Sequence, residues 1–236
     1  MDYTQLTSIP LFTGISGEDL AMIMDRIELV DMELMPEETL VHENDVCQCM
    51  SILREGTIKR TRTYQQGTFS NQRKESKELK YTVTETIDQG IILEPEVLFG
   101  LDLRHKNTWT AETTCHLTLI GKEDIRQTLM YVPIWRINLM NLLCTDLQKM
   151  TADKLPQPVS TEYERILQFI LRHCTQFGKT MIMDITSEQM GHCVGMDRRV
   201  IAKVLGQLEA EDLLKKSKQH IEIPNINKIR TYIKTA

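Results

Sequence analysis

The sequence predicts an α+β protein in which an N-terminal β jelly-roll domain is followed by a long helix and a C-terminal winged helix-turn-helix domain. Three observations support this class. Short β-type segments recur between Leu34 and Ile120, and apolar residues recur at helical spacing after Pro133. Two short helices joined by a glycine-containing turn are predicted between Ile185 and Glu209.

The composition fits two domains that each bury a core. The 236 residues carry a formal net charge of −5, and a chain of this length suffices for two modest domains. The charge is uneven, because the residues from Gly178 onward include 10 basic and 7 acidic side chains, whereas those before it include 18 and 26. The C-terminal part is therefore the one suited to binding phosphates.

Several classes of protein are not expected. The first ten residues contain neither a basic segment nor a long apolar run, and no apolar stretch approaches the roughly 18 residues of a membrane helix. We therefore expect a cytoplasmic protein. The six cysteines are too scattered for a disulfide framework or a paired C-x-x-C zinc site, and the sequence specifies no cofactor.

The N-terminal half reads as one short helix followed by strands. Ser16 is placed to cap a helix that carries Leu20, Ile23, Met24 and Ile27 at helical spacing. Strands are predicted at 50–53, 57–63, 81–87 and 116–120. Short strands at this spacing favour a small sandwich or jelly-roll barrel. The polar run at 64–80 is predicted to be a long hairpin loop.

A long helix is predicted from Pro133 to Lys154. Proline fits its first turn, because inside a helix the ring would remove a hydrogen bond and clash. Apolar residues then recur at steps of three and four, at Ile134, Ile137, Met140, Leu143, Cys144, Leu147 and Met150. Such a stripe packs on the barrel of its own chain or on a second copy, and the spacing leaves both open.

The two prolines at 156 and 158 cannot continue a helix and mark a hinge. The predicted domain boundaries are accordingly 1–132 for the jelly roll, 133–155 for the long helix and 156–236 for the winged helix-turn-helix.

The C-terminal domain holds the most specific pattern. Thr186 and Gln189 are spaced as a capping box for one short helix, and Asp197 is placed to cap a second helix after the turn at 194–196. This unit can lay its second helix in the major groove of DNA. Its buried stripe is predicted to comprise Val200, Val204, Leu205 and Leu208.

Three cations, Arg198, Arg199 and Lys203, are left outside that stripe. Cations at a helix N-terminus are unfavourable against the helix dipole, so an anionic partner would explain the two arginines. The arginine fork also matches the two acceptors on a guanine edge. We expect these side chains to contact bases or phosphates; the alternative is a solvated charged face.

A two-stranded wing with a basic tip is predicted at 215–223, and such a tip suits phosphate contacts that position the protein on DNA. The predicted DNA-binding residues are Thr186, Ser187, Gln189, Asp197, Arg198, Arg199, Lys203, Ser217 and Lys218.

Over nearly its whole length the sequence resembles the Crp/Fnr family of bacterial transcription regulators. The most specific match is residues 185–214, where Ile-Thr-x-x-x-Met-Gly-x-x-Val-Gly-x-x-Arg begins the family's recognition unit. Further matches are the segments 10–16 and 52–59 and the Leu98-Phe99-Gly100 triplet before 111–113. Their order and spacing carry the resemblance.

The resemblance implies a cyclic-nucleotide-binding-type jelly roll, dimerisation through the long helix, and a homodimer on palindromic double-stranded DNA. It implies an unknown small-molecule effector that binds one arrangement of the protein better than another, and contact with RNA polymerase if the protein is an activator. The implied effector pocket comprises Leu98, Phe99, Gly100, Leu101, Asp102, Lys106, Asn107, Thr108, Met150 and Thr151.

Two positions depart from the members that respond to cyclic AMP. Those members carry a glutamate where Arg199 stands, so a different DNA preference is expected. They hold the cyclic phosphate with a Gly-Glu pair and a later Arg-Ser/Thr, whereas Gly100 is followed by Leu101 and the later position is Lys106-Asn107. Cyclic AMP is therefore not the expected effector.

Other functions are left open or disfavoured. The protein could be a constitutive regulator with a degenerate pocket, or a redox or haem sensor that uses the Cys47/Cys49 pair or His42, His105 and Cys115. An iron-sulfur cluster is not expected, since no cysteine precedes Cys47. An enzyme is not expected either, because the sequence contains no phosphate loop, nucleophile elbow or His-Glu-x-x-His site.

Overall fold

The computed structural model describes residues 6, 9–66, 79–88, 90–152, 161–175 and 178–235, with the backbone alone at 66, 149–152, 234 and 235. Its helices are α1 (Gly17–Met24), α2 (Lys122–Gln127), α3 (Pro133–Ala152), α4 (Glu162–Leu171), α5 (Ser187–Val194), α6 (Arg198–Ala210) and α7 (Ile226–Thr235). Its strands are β1 (Leu29–Leu34), β2 (Thr39–Val41), β3 (Cys49–Glu55), β4 (Thr57–Gln66), β5 (Leu79–Asp88), β6 (Ile91–Leu93), β7 (Thr108–Ala111), β8 (Cys115–Gly121), β9 (Gly178–Asp184), β10 (Lys215–Lys216) and β11 (Ile221–Ile223).

The chain divides into two compact units, one formed by 1–58 with 88–155 and the other by 59–87 with 156–236. The predicted α+β class, with antiparallel strands and a helical C-terminal domain, is confirmed. The predicted hinge and the segment 67–78 of the predicted loop lie outside the described residues. Among the helices described, none is both long enough and apolar enough to span a membrane.

The first unit is built on an antiparallel sheet in the order β1-β8-β3-β6, with β2 and β7 paired separately. The predicted strands at 50–53 and 116–120 lie within β3 and β8. Met50 and Ile52 of β3 and Ile120 of β8 are buried in one core with Leu11 and Phe12, which precede α1. Ser16 caps α1 as predicted, and its hydroxyl accepts a hydrogen bond from Asp19 N at 3.1 Å.

Helix α3 is apolar on two opposite sides. Trp135 and Leu139 are buried in the core of the first unit. On the other side Ile137, Met140 and Leu147 are 54%, 61% and 60% exposed. With 3.6 residues per turn, the two sets cannot share one face. The helix therefore packs on its own barrel and still carries an uncovered apolar stripe, to which the exposed Cys144 also belongs.

The second unit extends the winged-helix sheet with a hairpin from far earlier in the chain. The strands run in the order β10-β11-β9-β5-β4, and β5 pairs with β9 from Thr82 opposite Asp184 to Ile87 opposite Gly178. The sequence predicted this hairpin but assigned it to the N-terminal domain, whereas residues 59–87 group with the C-terminal residues.

Apolar and polar contacts both hold the hairpin in the second unit. Tyr81 and Val83 of β5 are buried in one core with Ile166, Ile170 and Met190. That core also includes Leu79, Met183, Leu205 and Ile229.

Glu85 is fully buried on the same strand, 3.1 Å from the Arg60 guanidinium, and accepts a hydrogen bond from Thr175 N at 2.8 Å. Burial raises the pKa of Glu85, and Arg60 opposes that rise. Gly178 is required here, because a Cβ would lie 1.7 Å from Glu85 Oε1.

Candidate nucleic-acid interface

The first helix of the motif, α5, begins with the predicted capping box. Thr186 Oγ accepts from Gln189 N at 3.2 Å, and Gln189 Oε1 accepts from Thr186 N at 2.8 Å. The following turn needs both of its glycines. Gly195 has a φ of +71°, and a Cβ on Gly191 would lie 2.6 Å from the carbonyl oxygen of Met196. The close approach fixes α5 against the start of α6.

Helix α6 begins where predicted. The Asp197 carboxylate accepts from Arg199 N at 2.7 Å and caps the helix. Its buried face comprises Ile201, Val204, Leu205 and Leu208. The prediction of Val200 on this face was wrong by one position, because Val200 is only half-buried and Ile201 is the residue one turn before Val204 and Leu205.

The opposite face of α6 is cationic and open. Arg199 and Lys203 lie one turn apart at its centre, Arg198 lies at its edge, and all three side chains are exposed. Gly206 continues this face with open space around it. Within the described residues, no carboxylate lies within salt-bridge distance of these three cations. The cations are therefore free to meet an external anion.

A cleft of about 620 Å³ lies between α5, α6 and the wing. It is lined by five of the predicted DNA-binding residues, namely Thr186, Ser187, Arg198, Ser217 and Lys218. Two acidic residues, Glu188 and Glu209, also line it and were not predicted. Glu209 Oε1 accepts from Lys216 N at 2.9 Å, so this carboxylate fixes the start of the wing.

The predicted wing forms from β10 and β11. Its turn is closed by Ser217, whose amide donates to His220 O at 2.9 Å and whose hydroxyl lies 2.8 Å from His220 Nδ1. Lys218 follows Ser217 in this turn and is exposed. The turn thereby presents a cation at the rim of the cleft.

One predicted contact residue has its polar atoms engaged inside the protein. Gln189 uses Oε1 in the capping box and donates from Nε2 to the carbonyl oxygen of Lys80 at 2.9 Å. The side chain thus ties α5 to β5.

The residues of the implied effector pocket differ in exposure and in their partners. Leu98 is buried, whereas Phe99, Gly100, Leu101 and Asp102 are exposed. Asp102 pairs with Lys106, Thr108 Oγ accepts from Glu43 N at 3.0 Å, and Asn107 is buried. The side chains of Met150 and Thr151 lie outside the described residues.

Beneath this loop lies a buried carboxylate that the sequence analysis missed. Glu94 accepts from His105 Nδ1 at 2.8 Å, from Lys106 N at 2.9 Å and from Trp109 Nε1 at 3.0 Å, and also from the side-chain amide of Asn107. Burial alone would raise the pKa of Glu94, but these hydrogen bonds outweigh it and the pKa is lowered. No sequence signal distinguishes this glutamate from the other acidic residues of the loops.

Comparison with known proteins identifies the C-terminal domain. Residues 164–232 match the Crp-like helix-turn-helix domain, which confirms the resemblance over that region. No curated protein sequence matches the chain.

Solved structures with a similar fold cover more of the chain. The catabolite activator protein of Thermus thermophilus is 16% identical, with 94% of this chain and 96% of that chain covered and a TM-score of 0.48. The c-di-GMP responsive global regulator CLP of Xanthomonas campestris is 13% identical, with 86% and 98% covered and a TM-score of 0.47. DNR from Pseudomonas aeruginosa is 15% identical, with 97% and 96% covered and a TM-score of 0.41. Because these TM-scores are below 0.5, the assignment depends on the match at 164–232.

Proposed function

We propose that this chain, whose residues 164–232 are a Crp-like helix-turn-helix domain, regulates transcription by binding double-stranded DNA as a homodimer. The observation that carries the proposal is the outward face of α6, where Arg199 and Lys203 are exposed and free of carboxylate partners among the described residues. A duplex supplies the anion that these cations lack, since α6 fits a major groove about 12 Å wide.

We expect the predicted contact residues to have separate tasks. Arg199 and Lys203 at the centre of the outward face are placed to contact base edges, and bidentate arginine contacts discriminate between bases by about 1–3 kcal/mol. Lys218 on the wing turn and the N-terminus of α5 are placed to contact phosphates on either side, which orients the helix without reading sequence.

The test is selection of bound DNA from a random pool by the wild type and by Arg198→Ala and Arg199→Ala. We expect the wild type to enrich a two-fold symmetric site with half-sites about 34 Å apart, and the variants to lose or relax it. Lys228→Ala is the matched control, because it removes one positive charge from α7, outside the cleft. An equal loss with the control variant, or no enriched sequence at all, would contradict the proposal.

The second half of the proposal is a dimer formed through α3. Ile137, Met140, Cys144 and Leu147 follow one another at steps of three, four and three, which is the spacing of a coiled-coil seam. They are exposed although the opposite side of the same helix is already buried. A second copy of α3 is the partner whose stripe is complementary by symmetry.

Cys144 offers a built-in test of this seam. In a parallel pair of helices each seam residue faces its own counterpart, so two Cys144 thiols meet at the distance that a disulfide needs. Mild oxidation of the wild type is expected to give a covalent dimer that reduction reverses. Cys144→Ser should abolish the cross-link, and Cys193→Ser, in which a half-buried cysteine of α5 is removed instead, should not. A cross-link that persists in Cys144→Ser would place the contact elsewhere.

Control by an effector in the barrel is proposed with one restriction, that the effector is not cyclic AMP. The resemblance implies a phosphate at about Lys106 and Asn107. Glu94 already accepts hydrogen bonds there, from the backbone amide of Lys106 and from the side-chain amide of Asn107, so these donors are not available to a phosphate. This internal anion also supports the second candidate function, a constitutive regulator without an effector.

DNA affinity measured with and without cyclic AMP tests the restriction, and we expect no change. A rise in affinity would overturn it. If affinity instead responds to another small molecule, the constitutive alternative is excluded.

A further inference from the structure

A buried thiol, imidazole and carboxylate lie together in the first unit, outside the DNA-binding surface. Cys47 is 2% exposed, and Glu94 and His105 are each 6% exposed. Burying groups that can ionise is costly unless each is paired, so we expect these three groups to interact with one another.

The backbone brings the thiol and the imidazole to one face. Val46 and Arg104 form an antiparallel bridge. His105 N donates to Asp45 O and Cys47 N donates to Leu103 O, each at 2.8 Å. In this register Cys47 and His105 are diagonal neighbours, which point to the same side of the ladder and within reach of a ring.

The carboxylate fixes which ring nitrogen meets the thiol. His105 Nδ1 is bonded to Glu94 Oε2 at 2.8 Å, which leaves Nε2 on the side of Cys47. Cys47 Sγ also lies 3.3 Å from the carbonyl oxygen of Cys49. The Cys47 thiol and then Glu94 raise the pKa of His105 to about 9. At neutral pH the ring is therefore positively charged, and a cation beside a cysteine sulfur is the kind of neighbour that activates it.

Cys115 provides a matched comparison in the same unit. It too is buried and free, but its sulfur contacts the carbonyl oxygens of Thr57 and Thr113, at 3.1 and 3.3 Å. Burial raises the pKa of Cys115, so its thiol stays protonated and inert. The difference between the two cysteines is the imidazole and not the depth of burial.

We propose that Cys47, His105 and Glu94 form a thiol site that reacts with hydrogen peroxide or another small hydroperoxide. The Cys47 sulfur attacks one peroxide oxygen, so that an S–O bond forms and the O–O bond breaks. The departing hydroxide takes the proton that the thiol gives up and leaves as water. The thiol is oxidised to a sulfenic acid and the peroxide is reduced. Glu94 is a positioning residue that holds the ring.

The selectivity of the site follows from its burial. A side chain that is 2% exposed cannot contact proteins or bulky disulfides, so a small oxidant is the expected partner. The oxygen added to Cys47 must fit beside the four hydrogen bonds of Glu94, so oxidation bears on the loop at 94–109. Cys47 thereby gives the first unit a redox input, independently of whether α6 binds DNA.

The test treats the full chain with hydrogen peroxide, removes the peroxide, then unfolds the protein in the presence of dimedone, which traps sulfenic acids, and measures the label at each cysteine by peptide mass spectrometry. Cys47 is expected to label at least about 10-fold faster than Cys115. Fragmentation of the peptide separates Cys47 from Cys49, and Cys49→Ser should leave the rate at Cys47 unchanged.

His105→Gln is expected to reduce the rate at Cys47 to that of Cys115, with thermal unfolding as the check on its fold. Glu94→Gln, which retains the shape of the side chain, should give an intermediate rate. Equal labelling of Cys47 and Cys115 in the wild type would overturn the proposal without any variant. A rate at Cys47 that survives His105→Gln in a folded protein would also overturn it.

Discussion

Helices α3 and α6 each bury one face within their own unit, but their outward faces differ in chemistry. One is apolar and the other is cationic. The outward face of α6 carries Arg199 and Lys203 without carboxylate partners among the described residues. The outward face of α3 carries Ile137, Met140 and Leu147, which are more than half exposed. An unpaired cationic face needs an anion, and an uncovered apolar stripe needs another apolar surface.

The two outward faces therefore lack different partners, and each can be changed without changing the other. If α6 lacks DNA and α3 lacks a second copy, a substitution on one outward face should affect one kind of binding directly and the other only by linkage. The following predictions are ordered by the size of the expected effect.

The largest effect is expected from Met140→Glu on α3. It places a carboxylate of each copy in an apolar seam, where like charges are desolvated, and should raise the dimer dissociation constant about 100-fold or more. Sedimentation velocity measures the change, and Thr145→Glu on an exposed position away from the stripe is the control. Binding to a full palindrome should weaken as well, because two half-sites no longer act together. A dimer that survives Met140→Glu would show that the apolar stripe of α3 is not the dimer seam.

The next effect is expected from α6. Arg199→Ala should weaken binding to the selected site about 10- to 100-fold by removing a base contact, with no change in sedimentation. Arg199→Glu sharpens the test, since a carboxylate accepts a hydrogen bond from cytosine and should shift the preferred base instead of only weakening binding. An unchanged preference in both variants would show that Arg199 does not read sequence.

A smaller effect is expected at the wing. Lys218→Ala should weaken binding to all sequences alike by a few-fold and reduce the slope of log affinity against log salt by about 0.9, as the loss of one phosphate contact predicts. Affinities measured at several salt concentrations check this slope. A sequence-dependent loss would mean that Lys218 contacts bases.

The smallest effect concerns the cap of α5 and is a change in stability. Thr186→Val removes the hydroxyl that accepts from Gln189 N and should lower the free energy of unfolding by about 1 kcal/mol. Thr186→Ser keeps the cap and should lose much less. Urea unfolding measures both. If Thr186→Ser weakens DNA binding while its stability is intact, the residue has a contact role beyond capping.

The parts of the structure that were predicted from sequence depend on local signals. Thr186, Asp197 and the turn glycines each specify backbone geometry within a few residues, so the helix-turn-helix was predicted almost to its exact ends. Periodicity gave the apolar residues of α3 but not their division between two faces, because the buried side depends on a barrel that a local pattern does not specify. The one-residue error at Val200 also arises because apolar character alone does not specify the buried side. Val200 and Ile201 are both apolar, and only the packing of the second unit decides between them.

The features missed depend on contacts between distant segments. The pairing of β5 with β9 joins residues about a hundred positions apart, and no periodicity records such a partner. Glu94 is likewise an ordinary glutamate in the sequence until His105 and Trp109 fold over it. Acidic residues of the cleft, such as Glu188, were not predicted, because complementarity to the phosphates of DNA points to cations alone.

The hairpin of the second unit has a consequence for how this protein is made. A ribosome releases β4 and β5 long before β9 exists, so the sheet of the second unit cannot be completed until β9 to β11 have been synthesised and pair beside the hairpin. A fragment cut at residue 156 would leave β9 with one edge unpaired and three core side chains, Leu79, Tyr81 and Val83, missing. Dissection of this protein into halves therefore has to follow the fold and not the order of the chain.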